Sequence, residues 1–207
     1  MKHIVSQLPP MQLDALREVT NIASGHAATA LSQLTRRKVM ISVPELAVAA
    51  LTEIPTLLGY GDQVVVVAMQ ILGDVNGHLV FLMPEPNART LAEVLTRRPV
   101  GPSGEYDALA RSSLMETGNV LGGAYAGALS QITGGMVMLS VPVFGVEPPD
   151  DVLRQERDKA GGGGDLALCL ETRLTFDDGG PAFDAHILLV PSKSSLEALL
   201  VALRVHR

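Results

Sequence analysis

The sequence predicts a mixed α+β protein: an internally duplicated helix–strand–hairpin–helix unit, pseudo-twofold, with an antiparallel-rich sheet and two long helices. Two observations carry this. First, a sparse polar pattern occurs twice, as Asp14, Glu18, Asn21, Pro44 and as Ser112, Glu116, Asn119, Pro142, with identical internal spacing and an offset of 98 positions in a 207-residue chain. Second, the order of apolar periodicities around each copy is the same.

In the first copy, Leu13, Leu16, Val19, Ile22, Ala23 and Ala27 recur at helical spacing, which predicts a helix over 11–34. Val39 to Val43 reads as a short strand ended by Pro44. After a turn at Gly59 to Asp62, the β-branched run Val64 to Ile71 and the run His78 to Met83 form a hairpin around Gly73 to Gly77, stopped by Pro84. Asn87 to Thr96 reads as a helix.

The second copy repeats the order. Asp107 to Thr133 is helical, with Leu114, Val120 and Leu121 on its apolar side, and Val137 to Val141 is a strand ended by Pro142. Leu166 to Phe176 and Phe183 to Val190 make a hairpin around Asp177 to Gly180, stopped by Pro191. The closing helix runs from Ser194 to Leu203, with Ser194 as N-cap and Glu197 at N3. The asymmetry is an insertion at 146–165, with Pro148-Pro149, a charged run and Gly161 to Gly164, which reads as a flexible surface excursion. Residues 98–105 link the copies, giving one domain over 1–207 built of repeats at about 8–98 and 106–207. Each hairpin would leave a sheet edge for the other half to cover or extend.

Bulk composition excludes several classes. A hydrophobic content of 47% with 18% charged residues is that of a globular chain. A net charge of −6 argues against nucleic acid, since binding phosphate backbones needs clustered cations. The short runs Arg36-Arg37-Lys38 and Arg97-Arg98 read as solvated helix ends. No membrane insertion is expected, because no apolar stretch reaches eighteen residues, and the N-terminus lacks a signal-peptide core. The lone Cys169, in an apolar run, reads as a buried inert thiol in a reducing compartment, and a cytoplasmic location follows. The five histidines are scattered and lack ligand spacing, and Gly161 to Gly164 lacks the Lys-Ser/Thr of a phosphate loop, so no metal or cofactor of its own is expected.

On a helix, positions i, i+4 and i+7 fall within about 60° of one another. Asp14, Glu18 and Asn21 therefore form one polar stripe, and Ser112, Glu116 and Asn119 another. Each presents a carboxylate one turn from a carboxamide. A mid-helix asparagine is a mildly poor choice on propensity, so its recurrence at equivalent places points to chemistry. Pro44 and Pro142 read as scaffold. The small residues after each asparagine (Gly25, Ala27, Ala28 and Ala30; Gly122, Gly123, Ala124, Ala126, Gly127 and Ala128) read as packing positions.

These residues resemble the motif of the CheC/CheX/FliY family of bacterial chemotaxis phosphatases: Asp or Ser, three residues, Glu, two residues, Asn, twenty-two residues, Pro. Both copies match at all four positions, and two intact copies in a chain near 200 residues without an appended motor-switch domain resemble the CheC branch. One departure is His26, where Asn is expected in a Gly-Asn-Ala-Ala run; it reads as a surface or structural residue. The resemblance implies hydrolysis of the aspartyl phosphate of a CheY-type response regulator, with Glu18, Asn21, Glu116 and Asn119 catalytic and Asp14, Ser112, Pro44 and Pro142 supporting. Mg²⁺ is expected in the response-regulator partner. A second partner, the receptor deamidase CheD, is also implied, and the alternative function is a regulatory binding module for CheD with little turnover. A structural part of the flagellar switch is a third, weaker reading. The duplication makes a monomer the expected state.

Overall fold

A computed structural model describes residues 9–43, 45–54, 58–101, 105–159 and 166–205. In chain order the elements are α1 (Pro10–Thr35), β1 (Val39–Ser42), β2 (Leu46–Ala50), β3 (Val64–Gly73), β4 (Gly77–Pro84), α2 (Glu85–Thr96), α3 (Ala108–Thr133), β5 (Val137–Leu139), β6 (Val143–Glu147), α4 (Pro149–Lys159), β7 (Leu166–Phe176), β8 (Phe183–Pro191) and α5 (Lys193–Val205). The mixed α+β reading therefore holds, as do both long helices and both hairpins.

All the strands lie in one antiparallel sheet of order β1–β7–β8–β4–β3–β5, with β2 continuing β1 along β7 and β6 beside β3. The halves are interleaved. β1 and β2, from the first repeat, form the edge next to β7 of the second, with Val39 opposite Phe176 and Leu46 opposite Leu170. Reciprocally, β5 and β6 form the edge next to β3, with Leu139 opposite Ile71 and Glu147 opposite Val64. The pseudo-twofold axis passes between β4 and β8, which pair through Leu79 opposite Leu189.

Alternation along the central strands separates two cores. Val65, Val67, Met69 and Ile71 of β3, with Leu79, Phe81 and Met83 of β4, face α1, α2, α3 and α5. Val64, Val66, Val80 and Leu82 face the other way, towards Leu51, Ile54, Leu58 and the α4 residues Val152 and Leu153. Burial on both faces explains why β3 reads as an unbroken run of valines. Cys169 sits in this second core, where burial pushes its thiol up to about 12. So does the ring of Tyr60, whose hydroxyl bonds His186 Nδ1, and burial holds that imidazole down at about 4.

Four expectations need correction. Pro142 does not close the sheet edge. It interrupts an edge strand that resumes at Val143, because proline removes a donor but an edge strand needs donors on only one side. In the first copy β2 follows β1, and Pro44 lies outside the described residues. The insertion is not a bare excursion: Val146 and Glu147 finish β6, and 149–159 form a helix seated on the sheet, while Gly161 to Gly164 lie outside the described residues. α5 is capped by Ser192, not Ser194, since Leu196 N–H donates to the Ser192 carbonyl and Ser195 N–H to its hydroxyl.

The glycines after the two asparagines divide. A methyl at Gly122 would stand 2.8 Å from Leu139 Cδ1 and 2.9 Å from Met69 Cε, so this one packs as expected. Around Gly25, Gly123 and Gly127 nothing lies within 4 Å, and all three face solvent; the packing role assigned to them is wrong.

Candidate functional site

α1 and α3 lie against each other on the sheet. Ala23 and Ala27 of α1 are fully buried, and Ser24 Oγ meets Tyr125 Oη of α3 at 3.3 Å. Leu31 of α1, and Leu114 and Leu121 of α3, point into the same core, and Leu16 of α1 is buried as well. With those faces committed to packing, the helical period turns positions 14, 18, 21 and 112, 116, 119 to the opposite side. Asp14, Glu18, Asn21, Ser112, Glu116 and Asn119 are all exposed.

The start of α3 is set by Asp107, whose carboxylate accepts from Ala110 N–H at 2.7 Å. The equivalent start of α1 has Pro9 at the cap and Pro10 in the first turn, with no side-chain cap. Each stripe then begins one turn inside its helix.

The two stripes differ in their surroundings. Asp14 stands 3.5 Å from Arg17 Nη1, and both are well exposed, so the pair contributes little to stability. In the second stripe Ser112 replaces the carboxylate and Met115 the arginine. Asn21 lines a hollow of about 310 Å³ with Arg17, Thr20, Val43 and Leu46, so the joint between β1 and β2, where Pro44 falls in sequence, borders the first stripe. Ser112 and Glu116 line a separate hollow of about 590 Å³ with Arg36, Arg37 and Arg97, at the ends of α1 and α2.

These arginines are what the sequence reading passed over as helix ends. Arg36 and Arg97 hold left-handed backbone, at φ 54° and 57°, a region that costs a non-glycine residue about 1–2 kcal/mol. The sign that could have found them is a repeated Thr-Arg-Arg at 35–37 and 96–98, with no glycine where a helix end usually has one.

Among the described residues no three histidine, cysteine or carboxylate side chains converge as metal ligands, and no helix is long and apolar enough to cross a membrane. His26 is exposed on α1.

Comparison with known proteins gives a consistent set of relatives. The model of the CheC-like family matches residues 11–48, which span the whole first motif. The CheY-P phosphatase CheC of Bacillus subtilis (strain 168) is 31% identical over 196 residues, covering 93% of each chain. The crystal structure of Thermotoga maritima FliY superposes with a TM-score of 0.76 at 21% identity, covering 95% of this chain and 99% of that one. The FliM middle domain from H. pylori does so at 0.66 and 11% identity, covering 94% and 99%. The last two share the fold.

Proposed function

This chain belongs to the CheC-like family, and on that premise we propose that it hydrolyses the aspartyl phosphate of a CheY-type response regulator. It is a phosphatase. The observation that carries the mechanism is the repeated, exposed pairing of a glutamate with an asparagine on two equivalent helices.

An acyl phosphate is already reactive, so faster hydrolysis needs a water in line with the phosphorus–oxygen bond and stabilisation of the charge on the transferring group. A neutral carboxamide both donates and accepts, which suits it to hold that water. In this proposal Asn21 and Asn119 position the attacking water. Glu18 and Glu116 pair with a lysine of the partner and orient the helix. Asp14 and Ser112 support the stripes, Pro44 and Pro142 keep the supporting role that the family motif gives them, and the Mg²⁺ that phosphoryl transfer requires comes with the response regulator. The proposal includes a monomer acting in the cytoplasm.

The test follows phosphate loss from labelled response regulator with catalytic amounts of protein. Asn21→Ala combined with Asn119→Ala is expected to lower the accelerated rate by about 100-fold, the scale of a lost group aimed at the transition state. Both side chains are exposed, so thermal unfolding should not move. Full activity in the double variant would end the assignment.

A regulatory module for CheD is the second reading. One feature favours it: Met136, Met138, Val141 and Val143, on and beside the β5–β6 edge, are 59%, 47%, 82% and 66% exposed. Repeating the assay with and without CheD separates the two, since less than one turnover per molecule favours binding over catalysis.

A further inference from the structure

We propose that the hollow where the C-terminal ends of α1 and α2 meet α3 is a docking subsite for the anionic face of the phosphorylated partner, recognised by Arg36 and Arg97. The inference rests on the phosphatase reading and adds to it a partner-binding group outside the repeated motif.

Three helices of this chain end with the same local cap. Thr35, Thr96 and Thr133 each return their hydroxyl to the carbonyl four residues back, at Leu31, Ala92 and Leu129. The residue after each threonine is left-handed: Arg36, Arg97 and Gly134. Gly134, which lies 98 positions after Arg36, shows that the cap itself asks only for glycine. An arginine in that conformation is unfavourable, and both arginines open on one hollow, beside Ser112 and Glu116 of the second stripe.

Arg37, also at this hollow, is committed within the chain: it pairs with Asp178 and lies 4.0 Å over the Phe176 ring. Arg36 and Arg97 are exposed and, among the described residues, have no carboxylate partner. Leu109, 46% exposed, adds an apolar wall.

The occupant follows from charge. A phosphoryl group carries about −2, and a Mg²⁺ beside it requires further carboxylates around it, so the partner's face is anionic. This chain has a net charge of −6, which opposes such an approach. Two unpaired guanidinium groups reverse the local field, and their planar forks suit carboxylate or phosphate oxygens. At the equivalent end of α3, Gly134 and Gly135 stand where α1 carries Arg36 and Arg37. The subsite therefore serves the second stripe.

The test is the steady-state kinetics of Arg36→Gly with Arg97→Gly on phosphorylated response regulator at low and high salt. Glycine relieves the left-handed backbone, so the melting temperature should hold or rise. The KM should rise about tenfold at low salt, the lower end of electrostatic steering, with kcat within twofold, and the salt dependence of KM should flatten. The same shift must persist in an Asn21→Ala background, where only the second stripe keeps its asparagine. A KM within twofold of the parent at low salt, a loss confined to kcat, or no turnover in the Asn21→Ala background would each overturn the docking role. Absence of turnover by the unsubstituted protein would overturn the phosphatase reading and this one with it. Turnover with an unmoved KM would remove the docking subsite alone.

Discussion

Gly118 and Gly123 lie five residues apart on α3 and meet opposite environments. A methyl added at Gly118 would stand 2.7 Å from Val67 Cγ1, a stiff β-branched side chain in a central strand, whereas at Gly123 nothing lies within 4 Å. Alanine gains about 1 kcal/mol over glycine in a helix interior, while overpacking costs about 1–3 kcal/mol. Gly118→Ala is therefore expected to destabilise by up to about 2 kcal/mol, and Gly123→Ala to stabilise by about 1 kcal/mol, both read from urea unfolding. Opposite signs on one helix would confirm which face is packed; equal signs would refute it. From the sequence the small residues of this region looked alike, because period alone does not tell a glycine that admits a neighbouring strand from one that faces water. The exposure of Glu18, Asn21, Glu116 and Asn119 was legible, since the i, i+4, i+7 rule turns them away from Leu16, Ala23, Leu114 and Leu121. The role of Arg36 and Arg97 was not, because a helix end shows its neighbours only once the chain is folded.

α4 was missed for a reason of its own. PPDDVLRQERDK buries only two apolar side chains, Val152 and Leu153, too few to show a period, and its third buried residue is Glu156. That carboxylate is 2% exposed, with His78 Nδ1 2.8 Å from Oε2 and Lys159 Nζ 2.6 Å from Oε1. Burial alone would raise its pKa; His78 and Lys159 close beside it outweigh burial and hold it below 4.5. The unfolded chain thus binds this proton more readily than the folded one. The contribution of Glu156 is complete above about pH 4.5 and fades as the pH falls through the lower folded-state value. Truncation to Glu156→Ala removes the partner of both His78 and Lys159 and is expected to cost about 1–3 kcal/mol. Amide exchange should speed up across 149–159 at neutral pH, with phosphatase activity within twofold, because the stripes lie beyond the opposite face of the sheet. Unchanged exchange would show that Val152 and Leu153 alone hold the helix. The charged surface of α4 is otherwise conventional, with Asp150 and Asp151 in its first turn and Arg157 and Lys159 in its last.

For the molecule as a whole, the duplication could be read from the 98-residue offset, but the exchange of edge strands could not. A strand's alternation says which face is buried and nothing about which neighbour it pairs with. Val39 pairs with Phe176 across 137 positions of sequence, and Val143 with Ala68 across 75. Residues 1–101 expressed alone would lack β5 and β6 and would leave β1 and β2 without β7. Neither that fragment nor residues 105–207 is expected to give a cooperative melting transition alone, while an equimolar mixture should recover one, as followed by circular dichroism. Cooperative unfolding of either fragment by itself would show that the interleaved edges are dispensable.

The crossed edges also bear on ancestry. A single copy of this unit would have had to borrow its outer strand from a twin, so the present chain behaves as two protomers joined by a tether. Backbone drift in either copy is felt at once by the other. The copies have diverged in the core, as Ala27 against Tyr125, and also in what projects outward: Asp14 against Ser112, Arg17 against Met115, Arg36 against Gly134. One scaffold can in this way keep two mouths of different taste.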